Sequence, residues 1–435
     1  MDGGGSGNQN DFHSPHPSKP NQENNLKFRK VTNCRVCGSD DLFTYLDLPD
    51  SPPCNRLTDG IQEVEKFELK LMLCKNCFLS QLSIAVDPNE LYSDYVYHSS
   101  VSKTFQKHCF EMASEIKANF SFKNDPPSCM DIAANDGCLL REFLKHGFVC
   151  RGYEPCLELA RYSWKPEENR FIHVIPAFFN LRHSLRGRSW SGEDVITATN
   201  VLAHVDDVID FIFGVKFQMD YNPRSIFVVE VPHLLNLIKG NQFDTVYHEH
   251  LSYFLMRPLL NLFSKCGLEI FKVEKHPIHG GSLRLYAGHP GVHPTDSSVV
   301  SVIDEEEKAG MYDLKTYIDF AVRTLRVAAD VQIIMNFTEM NGKKVMGYGA
   351  SAKGISLINY LGIRNQIHSI VDETPEKQGK FTPHSNIQIV DFSHFEKEKP
   401  DYIFLLAWNF KEELIEKTKH LGAKYIVPIP EPVIV

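Results

Sequence analysis

Two pairs of closely spaced cysteines constrain the fold of this chain more than any other feature. Cys34 and Cys37 form one C-x-x-C motif, and Cys74 and Cys77 form a second one. Each motif places two thiolates on a tight turn, and two such turns complete the tetrahedral ligand shell of Zn²⁺. With all four ligand positions taken by sulfur, the predicted metal is structural, and redox-active cysteines are the alternative.

Length and composition limit what surrounds this module. The chain has 435 residues, which favours two or three domains over a single core. Its formal net charge of -9 gives no general attraction to nucleic acid or to an anionic membrane. There is neither an apolar run of about 18 residues nor a secretory signal, so we expect a cytoplasmic protein with no membrane partner. The first 26 residues, rich in Gly, Asn, Ser, Pro and Gln, are predicted to be a disordered tail.

A strand, a turn of small residues and a helix are predicted at residues 129–144. The turn has no G-x-G-x-x-G phosphate cradle, which argues against NAD and for a nucleoside such as S-adenosylmethionine. Glu154 ends the next strand, at the position that holds ribose hydroxyls in doubly wound folds, and Asn200 ends a further strand at the same edge. The alternative is a βα turn without a ligand. The candidate cofactor-binding residues are Asp131, Ala133, Asn135, Asp136, Gly137, Glu154 and Asn200.

The segment 242–254 concentrates polar and ionisable side chains directly after an apolar strand at residues 227–232. It contains Tyr247, His248, Glu249 and His250, which are poor material for a core and suit proton transfer near neutral pH. Such a cluster beyond the carboxyl end of a strand lies where open α/β sheets bind ligands. A mononuclear metal site formed with His279 is the alternative, although the H-E-x-x-H spacing is absent.

Residues 344–354 repeat the pattern of strand, glycine turn and helix, and residues 367–372 supply the next strand. A helix N-terminus with exposed amides suits a diphosphate, and Lys353 adds a positive charge there. This pattern predicts a cradle for a nucleotide sugar, with a Rossmann-like domain that holds no ligand as the alternative.

These motifs together resemble the sugar-nucleotide C-methyltransferases of deoxysugar pathways, over residues 34–428. Two small departures occur, because Ala133 and Ala134 stand where members usually carry Gly-Ser, and Thr199 stands where they carry Asn. Both changes keep small or polar side chains. The motifs that carry the resemblance lie at residues 34–37, 74–77, 131–137, 200–205, 230–232, 242–250, 279–284 and 347–354.

The resemblance implies an α/β fold with a central class I methyltransferase sheet, a small N-terminal zinc module and a second, C-terminal Rossmann-like domain. We expect a zinc-binding module at 27–92, a methyltransferase domain at 93–290, and a helical linker with the nucleotide-sugar-binding domain at 291–435. The cofactors would be S-adenosylmethionine and a structural Zn²⁺.

The resemblance also implies methyl transfer to a carbon beside a ketone, with His250 as the general base. Such a carbon attacks a methyl group only as a carbanion or enolate, so the site needs a base and a donor to the oxyanion. Glu249 or another carboxylate could orient an imidazole, and Tyr247 or His204 could donate to the enolate oxygen. The candidate substrate-binding residues are Tyr97, His279, Ser282, Arg284, Tyr348 and Lys353.

Several alternatives stay open at this point. The aromatic and hydroxyl cluster at residues 95–100 forms either a lid or a packed loop, and His279 and Ser282 contact substrate or merely serve a tight turn. A methyltransferase acting on oxygen or nitrogen is one rival function, and a non-catalytic zinc and nucleotide-binding scaffold is another. The sequence does not name the sugar, the nucleotide, the accepting carbon or the oligomeric state.

Overall fold

The computed structural model describes residues 27–92, 98–162, 172–186 and 192–435. The predicted tail and the candidate Tyr97 lie outside these ranges. The strands are β1 Phe28–Lys30, β2 Leu42–Ser51, β3 Phe67–Cys74, β4 Ser80–Leu82, β5 Ile84–Val86, β6 Ser128–Ile132, β7 Val149–Tyr153, β8 Ile172–Ile175, β9 Val195–Thr199, β10 Ile226–Pro232, β11 Ser252–Tyr253, β12 Glu269–His276, β13 Ser282–Gly288, β14 Val345–Tyr348, β15 Ile370–Val371, β16 Ile389–Val390, β17 Tyr402–Leu405, β18 Lys424–Val427 and β19 Val433–Ile434. The helices are α1 Pro88–Tyr92, α2 Lys103–Asn119, α3 Cys138–Lys145, α4 Leu157–Tyr162, α5 Leu181–Arg186, α6 Val208–Met219, α7 Leu234–Lys239, α8 Met256–Lys265, α9 Ser298–Lys308, α10 Leu314–Met340, α11 Ala352–Leu361, α12 Ser393–Glu398 and α13 Lys411–Thr418.

The central sheet has seven strands in the order β12-β13-β10-β9-β6-β7-β8. The strands β8, β7, β6, β9 and β10 run parallel, whereas β13 runs antiparallel to both of its neighbours. One reversed strand near the end of an otherwise parallel sheet is the arrangement of class I methyltransferases, so the predicted fold class is confirmed. The strands are almost continuously buried, because helices cover both faces of the sheet.

The C-terminal sheet has six strands in the order β16-β15-β14-β17-β18-β19. All neighbours are parallel except β18 and β19, which are antiparallel. Strand order reverses between β14 and β17, which is the point where doubly wound folds bind ligands. The second Rossmann-like sheet is therefore present as predicted.

The N-terminal module is a four-stranded antiparallel sheet in the order β11-β4-β3-β2. Its edge strand β11 does not come from the module, because it belongs to the polar segment 242–254. Ser252 pairs with Gln81, and Tyr253 pairs with Ser80. The strand β4, which follows the second cysteine pair, thus pairs with the chain just beyond His250.

One hydrophobic core joins the three parts of the molecule. It includes Leu71 of β3, Leu251 of the polar segment, Val331 of α10 and Leu357 of α11, all at most 4% exposed. The helix α9 packs on β12 instead, through Val299 and Val302. Among the described residues no helix combines the length and apolar character needed to cross a bilayer.

Candidate active site

The four cysteines of the two C-x-x-C motifs converge as predicted. Their sulfur atoms lie within 4.8 Å of one another, with Cys34 at 3.5 Å from Cys77 and Cys37 at 3.5 Å from Cys74. Four thiolates in this compact arrangement fit the tetrahedral shell of Zn²⁺, and no open ligand position is left for catalysis. Leu79 and Phe254 belong to the same buried cluster, so the predicted metal lies against the central part of the protein.

The turn after β6 has the strained backbone that a close ligand contact requires. Ala133, Asn135 and Gly137 have φ values of 57°, 52° and 78°, in the left-handed region that L side chains rarely adopt. The Asn135 amide donates to a Glu154 carboxylate oxygen at 2.8 Å, and the Cys156 amide donates to the other oxygen at 2.8 Å. Glu154 therefore fixes the turn, and each of its oxygens keeps acceptor capacity for ribose hydroxyls.

Asn135 and Asp136 also hold the chain that leads into α2. The Asn135 side-chain oxygen accepts from the Ser99 amide at 2.9 Å, and Asp136 accepts from the Ser100 amide at 3.0 Å. Both side chains thus form part of the packing of residues 98–100 against the turn. Within the described part of the cluster at 95–100, this geometry favours a packed loop.

Asp131 lies beneath the turn. Its carboxylate accepts from the Thr197 hydroxyl at 2.7 Å, and burial raises the pKa of Asp131 to about 7. Because Thr197 and Asp131 sit on adjacent parallel strands, this bond ties β6 to β9. The structure assigns Asp131 a place under the turn rather than at its surface.

The carboxyl edge of the central sheet is rich in hydrogen-bond acceptors. It therefore suits a cationic ligand that carries hydrogen-bond donors. Asn200 has φ of 57°, and its buried side-chain oxygen has no hydrogen-bond partner among the described residues. S-adenosylmethionine offers ribose hydroxyls, an ammonium group and a sulfonium charge to such groups. Asn200, Glu154 and the turn at 133–137 therefore fit this cofactor, and a diphosphate finds no cradle among them.

His250 lies at the carboxyl edge of the same sheet in a defined tautomer. Its Nδ1 is 3.0 Å from the Thr245 carbonyl oxygen, which can only accept, so Nδ1 carries a proton. The neutral ring then has its lone pair on Nε2, which is 3.0 Å from the Tyr247 hydroxyl. Leu251 donates its amide to the Ala203 carbonyl at 2.7 Å, which brings His250 and His204 to ring centroids 4.9 Å apart.

His204 bonds a residue that the sequence analysis did not single out. Its Nδ1 is 2.9 Å from the hydroxyl of Tyr92, the last residue of α1. The predicted neighbours His204, Tyr247 and His250 thus do come together, and Tyr92 joins them.

The expectation that Glu249 orients an imidazole is wrong, because the Thr245 carbonyl holds Nδ1 of His250. Both Glu249 oxygens instead accept from the side-chain amide of Asn55, at 2.8 and 3.0 Å. Consecutive side chains point in different directions here. No sequence pattern marked Asn55, since a contact across 194 positions depends on the folded chain.

The alternative of a metal site in the polar segment finds no support among the described side chains, where the Cys34, Cys37, Cys74 and Cys77 group is the one with metal-binding geometry. The Nε2 atom of His248 faces the carbonyl oxygens of Phe67 and Glu68, at 3.3 and 3.2 Å. Burial lowers the pKa of His248 to about 4, so it is a neutral structural group.

We expect a pH-dependent stability difference from Glu249. Burial raises its pKa from 4.5 to about 7, so its contribution to stability is fully present below pH 4.5 and is lost as the pH rises through about 7. Glu249→Gln cannot ionise, and between pH 4.5 and pH 8 its stability relative to the natural chain should rise by about 3 kcal/mol. Melting temperatures of both proteins at several pH values test this, with Glu111→Gln as an exposed control. A pH-independent difference would contradict it.

Three candidate substrate-binding residues, Ser282, Tyr348 and Arg284, bond to other parts of the protein. The Ser282 hydroxyl donates to the Ile278 carbonyl at 3.1 Å and thus serves the turn. Tyr348 packs against Phe395 on the far face of the C-terminal sheet, and its hydroxyl donates to Glu373 at 2.6 Å. Nothing is described of the His279 side chain, which falls outside the described part of the turn.

Arg284 is the third of these residues. It is fully buried, and its Nε donates to Glu230 at 2.7 Å, while another guanidinium nitrogen donates to Glu115 of α2 at 2.9 Å. His108 contacts the same Glu230 carboxylate at 2.8 Å. The guanidinium thus links α2 to the central sheet. Its ion pairs in the structure are with protein carboxylates.

Replacing Arg284 should therefore affect stability first. Arg284→Met removes the cation that pairs with the buried carboxylate of Glu230. We therefore expect the unfolding free energy to fall by roughly 3–5 kcal/mol. The control Lys275→Met removes an exposed pair with Glu305 and should cost less than about 1 kcal/mol. Calorimetry of both variants measures the difference. Unchanged stability together with a raised KM would return Arg284 to the substrate site.

The C-terminal sheet reaches the polar segment through α11. The Ser356 hydroxyl donates to the Val246 carbonyl at 3.0 Å, and the Trp408 indole donates to Asp244 at 2.7 Å. Burial raises the pKa of Asp244, and the charge of the half-buried Lys353 acts in the opposite direction. Lys353 stands at the start of α11, the helix that contacts this segment through Ser356. Trp408 carried no sequence signal, because an aromatic residue at the end of a buried strand usually belongs to the core.

Comparison with known proteins agrees with this geometry. Family models match three successive parts of the chain: a putative zinc binding domain at 34–92, a methyltransferase domain at 105–273 and a C-methyltransferase C-terminal domain at 277–430. The C-methyltransferase NovU of Streptomyces niveus is 31% identical over 421 residues, which cover 93% of this chain and 97% of that protein.

Solved methyltransferase structures match about two fifths of the chain at low similarity. Magnesium protoporphyrin IX methyltransferase from Synechocystis, solved with bound S-adenosylmethionine, is 10% identical, with a TM-score of 0.31 over 42% of this chain and 79% of that chain. A Leishmania major S-adenosylmethionine-dependent methyltransferase is 13% identical, with a TM-score of 0.34 over 43% and 74%. At this level of similarity, the substrates of these proteins say nothing about the substrate of this chain. From its sheet topology, its four-cysteine cluster and its full-length relative, the chain belongs to the C-methyltransferases and is an S-adenosylmethionine-dependent enzyme with a zinc-binding N-terminal part.

Proposed function

We infer that this enzyme methylates a carbon beside the ketone of a nucleotide-linked keto-sugar, and that His250 is the general base. The carrying observation is the tautomer of His250, whose Nδ1–H is fixed on the Thr245 carbonyl, so that the lone pair of Nε2 lies beside Tyr247 and His204. A neutral imidazole in this setting can accept a proton at physiological pH, since the ordinary pKa of histidine is about 6.5.

The proposed reaction begins with loss of the proton on the carbon beside the ketone. Nε2 of His250 accepts that proton and the electron pair passes to the ketone oxygen, which forms an enolate. The Thr245 carbonyl stabilises the resulting imidazolium through Nδ1–H. When held by Asn200, Glu154 and the turn at 133–137, S-adenosylmethionine would supply the electrophilic methyl group for the enolate carbon, and the electron pair of the broken carbon–sulfur bond would stay on sulfur. The proton on His250 then leaves to solvent.

Tyr247 and His204 are the proposed donors to the enolate oxygen. The Tyr247 hydroxyl contacts Nε2 of His250, and His204 stacks edge-on to the same ring at 4.9 Å. Both groups therefore lie within reach of a substrate that is bound against Nε2. In the resting site the Tyr247 hydroxyl donates to the unprotonated Nε2, so it turns to the enolate oxygen as Nε2 takes up the substrate proton. Glu249 contributes through position, by fixing Asn55 and the loop of the N-terminal module.

The nucleotide part of the substrate is assigned to α11. Lys353 supplies a positive charge at the start of this helix, and the Ser351 hydroxyl caps it by accepting from the Gly354 amide. The helix dipole and Lys353 both favour a diphosphate. Because α11 packs on Val246, a nucleotide held there places its sugar toward His250. We accordingly propose three domains: a zinc-binding module at 27–92, a methyltransferase domain at 93–290, and a helical linker with the nucleotide-sugar-binding domain at 291–435.

Mass spectrometry of the products from a panel of nucleotide keto-sugars tests this function. The expected product is heavier by one methyl group, and fragmentation should locate it on a ring carbon beside the ketone. A methyl group on oxygen or nitrogen would contradict the proposal. Matched keto-sugars without the nucleotide serve as controls and should react more slowly, because they lack the contacts at Lys353.

A further inference from the structure

The long helix α10 carries an apolar stripe on the side that faces solvent. Its opposite side packs in the core through residues such as Phe320 and Val331, which are fully buried. The outer stripe consists of seven exposed residues: Ile318, Val322, Leu325, Ala329, Ile333, Phe337 and Met340. Its six large side chains are between 43% (Ile318) and 86% (Met340) exposed. Successive members are separated by three or four residues, so they form a single face.

Such a stripe is unusual on a protein surface that has no partner. It extends from Ile318 to Met340, which corresponds to about 33 Å along a helix. Scattered exposed apolar side chains need no explanation, whereas contiguous patches mark sites of association. The first 26 residues contain few large apolar side chains, so they are poor material to cover seven positions.

The outer stripe is nearly symmetric about its middle member. Ala329 has Leu325 and Ile333 four residues away on either side, and it has Ile318 and Met340 eleven residues away. If two copies of α10 cross antiparallel at Ala329, Leu325 meets Ile333 of the second copy, and Ile318 meets Met340. The small side chain of Ala329 permits close approach of the two helices at the crossing point.

The charges on α10 favour the same orientation. The first half, up to residue 326, contains Lys315, Arg323 and Arg326 with one anion, Asp319. The second half contains the anions Asp330 and Glu339 and no cation. Arg323 donates to the Ile238 carbonyl, Lys315 pairs with Asp319, and Glu339 accepts from Gln366, so the complementary charges beside the stripe are Arg326 and Asp330. An antiparallel pair that crosses at Ala329 brings Arg326 of one copy near Asp330 of the other, whereas a parallel pair places like charges together.

We propose that α10 is the interface of a homodimer, in which the outer stripe packs antiparallel on the same stripe of a second copy of this chain. A two-fold axis passes near Ala329, and the contact is isologous, as in most dimers. An anionic membrane is a poorer occupant, because the chain has a net charge of -9 and the flanks of the stripe are of mixed sign.

The small area of the stripe favours a weak dimer. A helix face about 33 Å long and about 10 Å wide is smaller than the roughly 800 Å² per partner of a standard interface. A reversible dimer is therefore expected, and its assembly should depend on protein concentration between about 1 and 100 µM.

Sedimentation velocity of the full-length protein across that range measures the assembly. The natural chain should shift from monomer to dimer, and Leu325→Glu or Ile333→Glu should hold it monomeric with turnover unchanged. Val300→Glu is the matched control, since Val300 is 58% exposed on α9 outside the stripe, and it should dimerise as the natural chain does. A natural chain that stays monomeric at every concentration overturns the proposal, as does a dimer that Leu325→Glu leaves intact.

Cysteine cross-linking tests the orientation. Ala329→Cys should form a disulfide-linked dimer under mild oxidation, seen on a non-reducing gel. Leu325→Cys alone should not cross-link, whereas a mixture of Leu325→Cys and Ile333→Cys chains should. Cross-linking of Leu325→Cys with itself would show a parallel pair and would overturn the antiparallel arrangement.

Discussion

Replacing His250 by alanine should slow methyl transfer by at least about 10²-fold while leaving the affinity for S-adenosylmethionine unchanged. The reason is that Nε2 of His250 is the proposed acceptor of the substrate proton, and its tautomer is fixed by the Thr245 carbonyl. Isothermal titration with the cofactor and a turnover assay on a nucleotide keto-sugar measure the two quantities separately.

A second readout isolates the proton-transfer step from the methyl transfer. In deuterated water without cofactor, the natural enzyme should exchange the acidic proton of the keto-sugar, and His250→Ala should not. His368→Ala removes an exposed imidazole of the C-terminal part and should behave as the natural enzyme does. Full exchange and turnover in His250→Ala would refute the role of His250 and would leave the methyltransferase assignment untouched.

The second large effect is expected from Cys37→Ser. The loss of one thiolate from the four-sulfur cluster should reduce the zinc content from about one ion per chain to near zero. Because metal binding and folding of such modules are coupled, the unfolding free energy of the module should fall by several kcal/mol, on the order of 3 or more. Metal analysis and thermal unfolding of the same sample measure both changes.

Cys37→Ser should also reduce turnover, because β4 of the zinc module pairs with β11, two residues beyond His250. Cys266→Ser is the control, since Cys266 is a buried cysteine that lies outside the cluster. It should keep the zinc and most of the activity. A natural chain that contains no zinc, or a Cys37→Ser variant that retains zinc and stability together, would contradict the structural role of the metal.

The sequence by itself determined those features that depend on local chemistry. The C-x-x-C spacing specifies a four-sulfur cluster, because two thiolates on one tight turn can reach a single ion. The alternation of buried strands with turns of small residues at 133–137 and 347–351 predicts two parallel sheets, since each unit specifies its own strand, turn and helix. The polar segment 242–254 was recognisable by its density of ionisable and hydroxyl side chains, although its apolar residues, such as Leu251, pack in the core.

Tertiary structure alone decided which way the ionisable side chains of that segment point. His250, Glu249 and His248 are consecutive, yet they contact the Thr245 carbonyl, Asn55 and the Phe67 carbonyl respectively. The partners of Glu249 and His248 lie more than 180 positions away, and sequence spacing carries no information about such distant contacts. Arg284 illustrates the same limit, because a basic residue in a motif looks like a ligand contact until its carboxylate partners, the buried Glu230 and the exposed Glu115, are known.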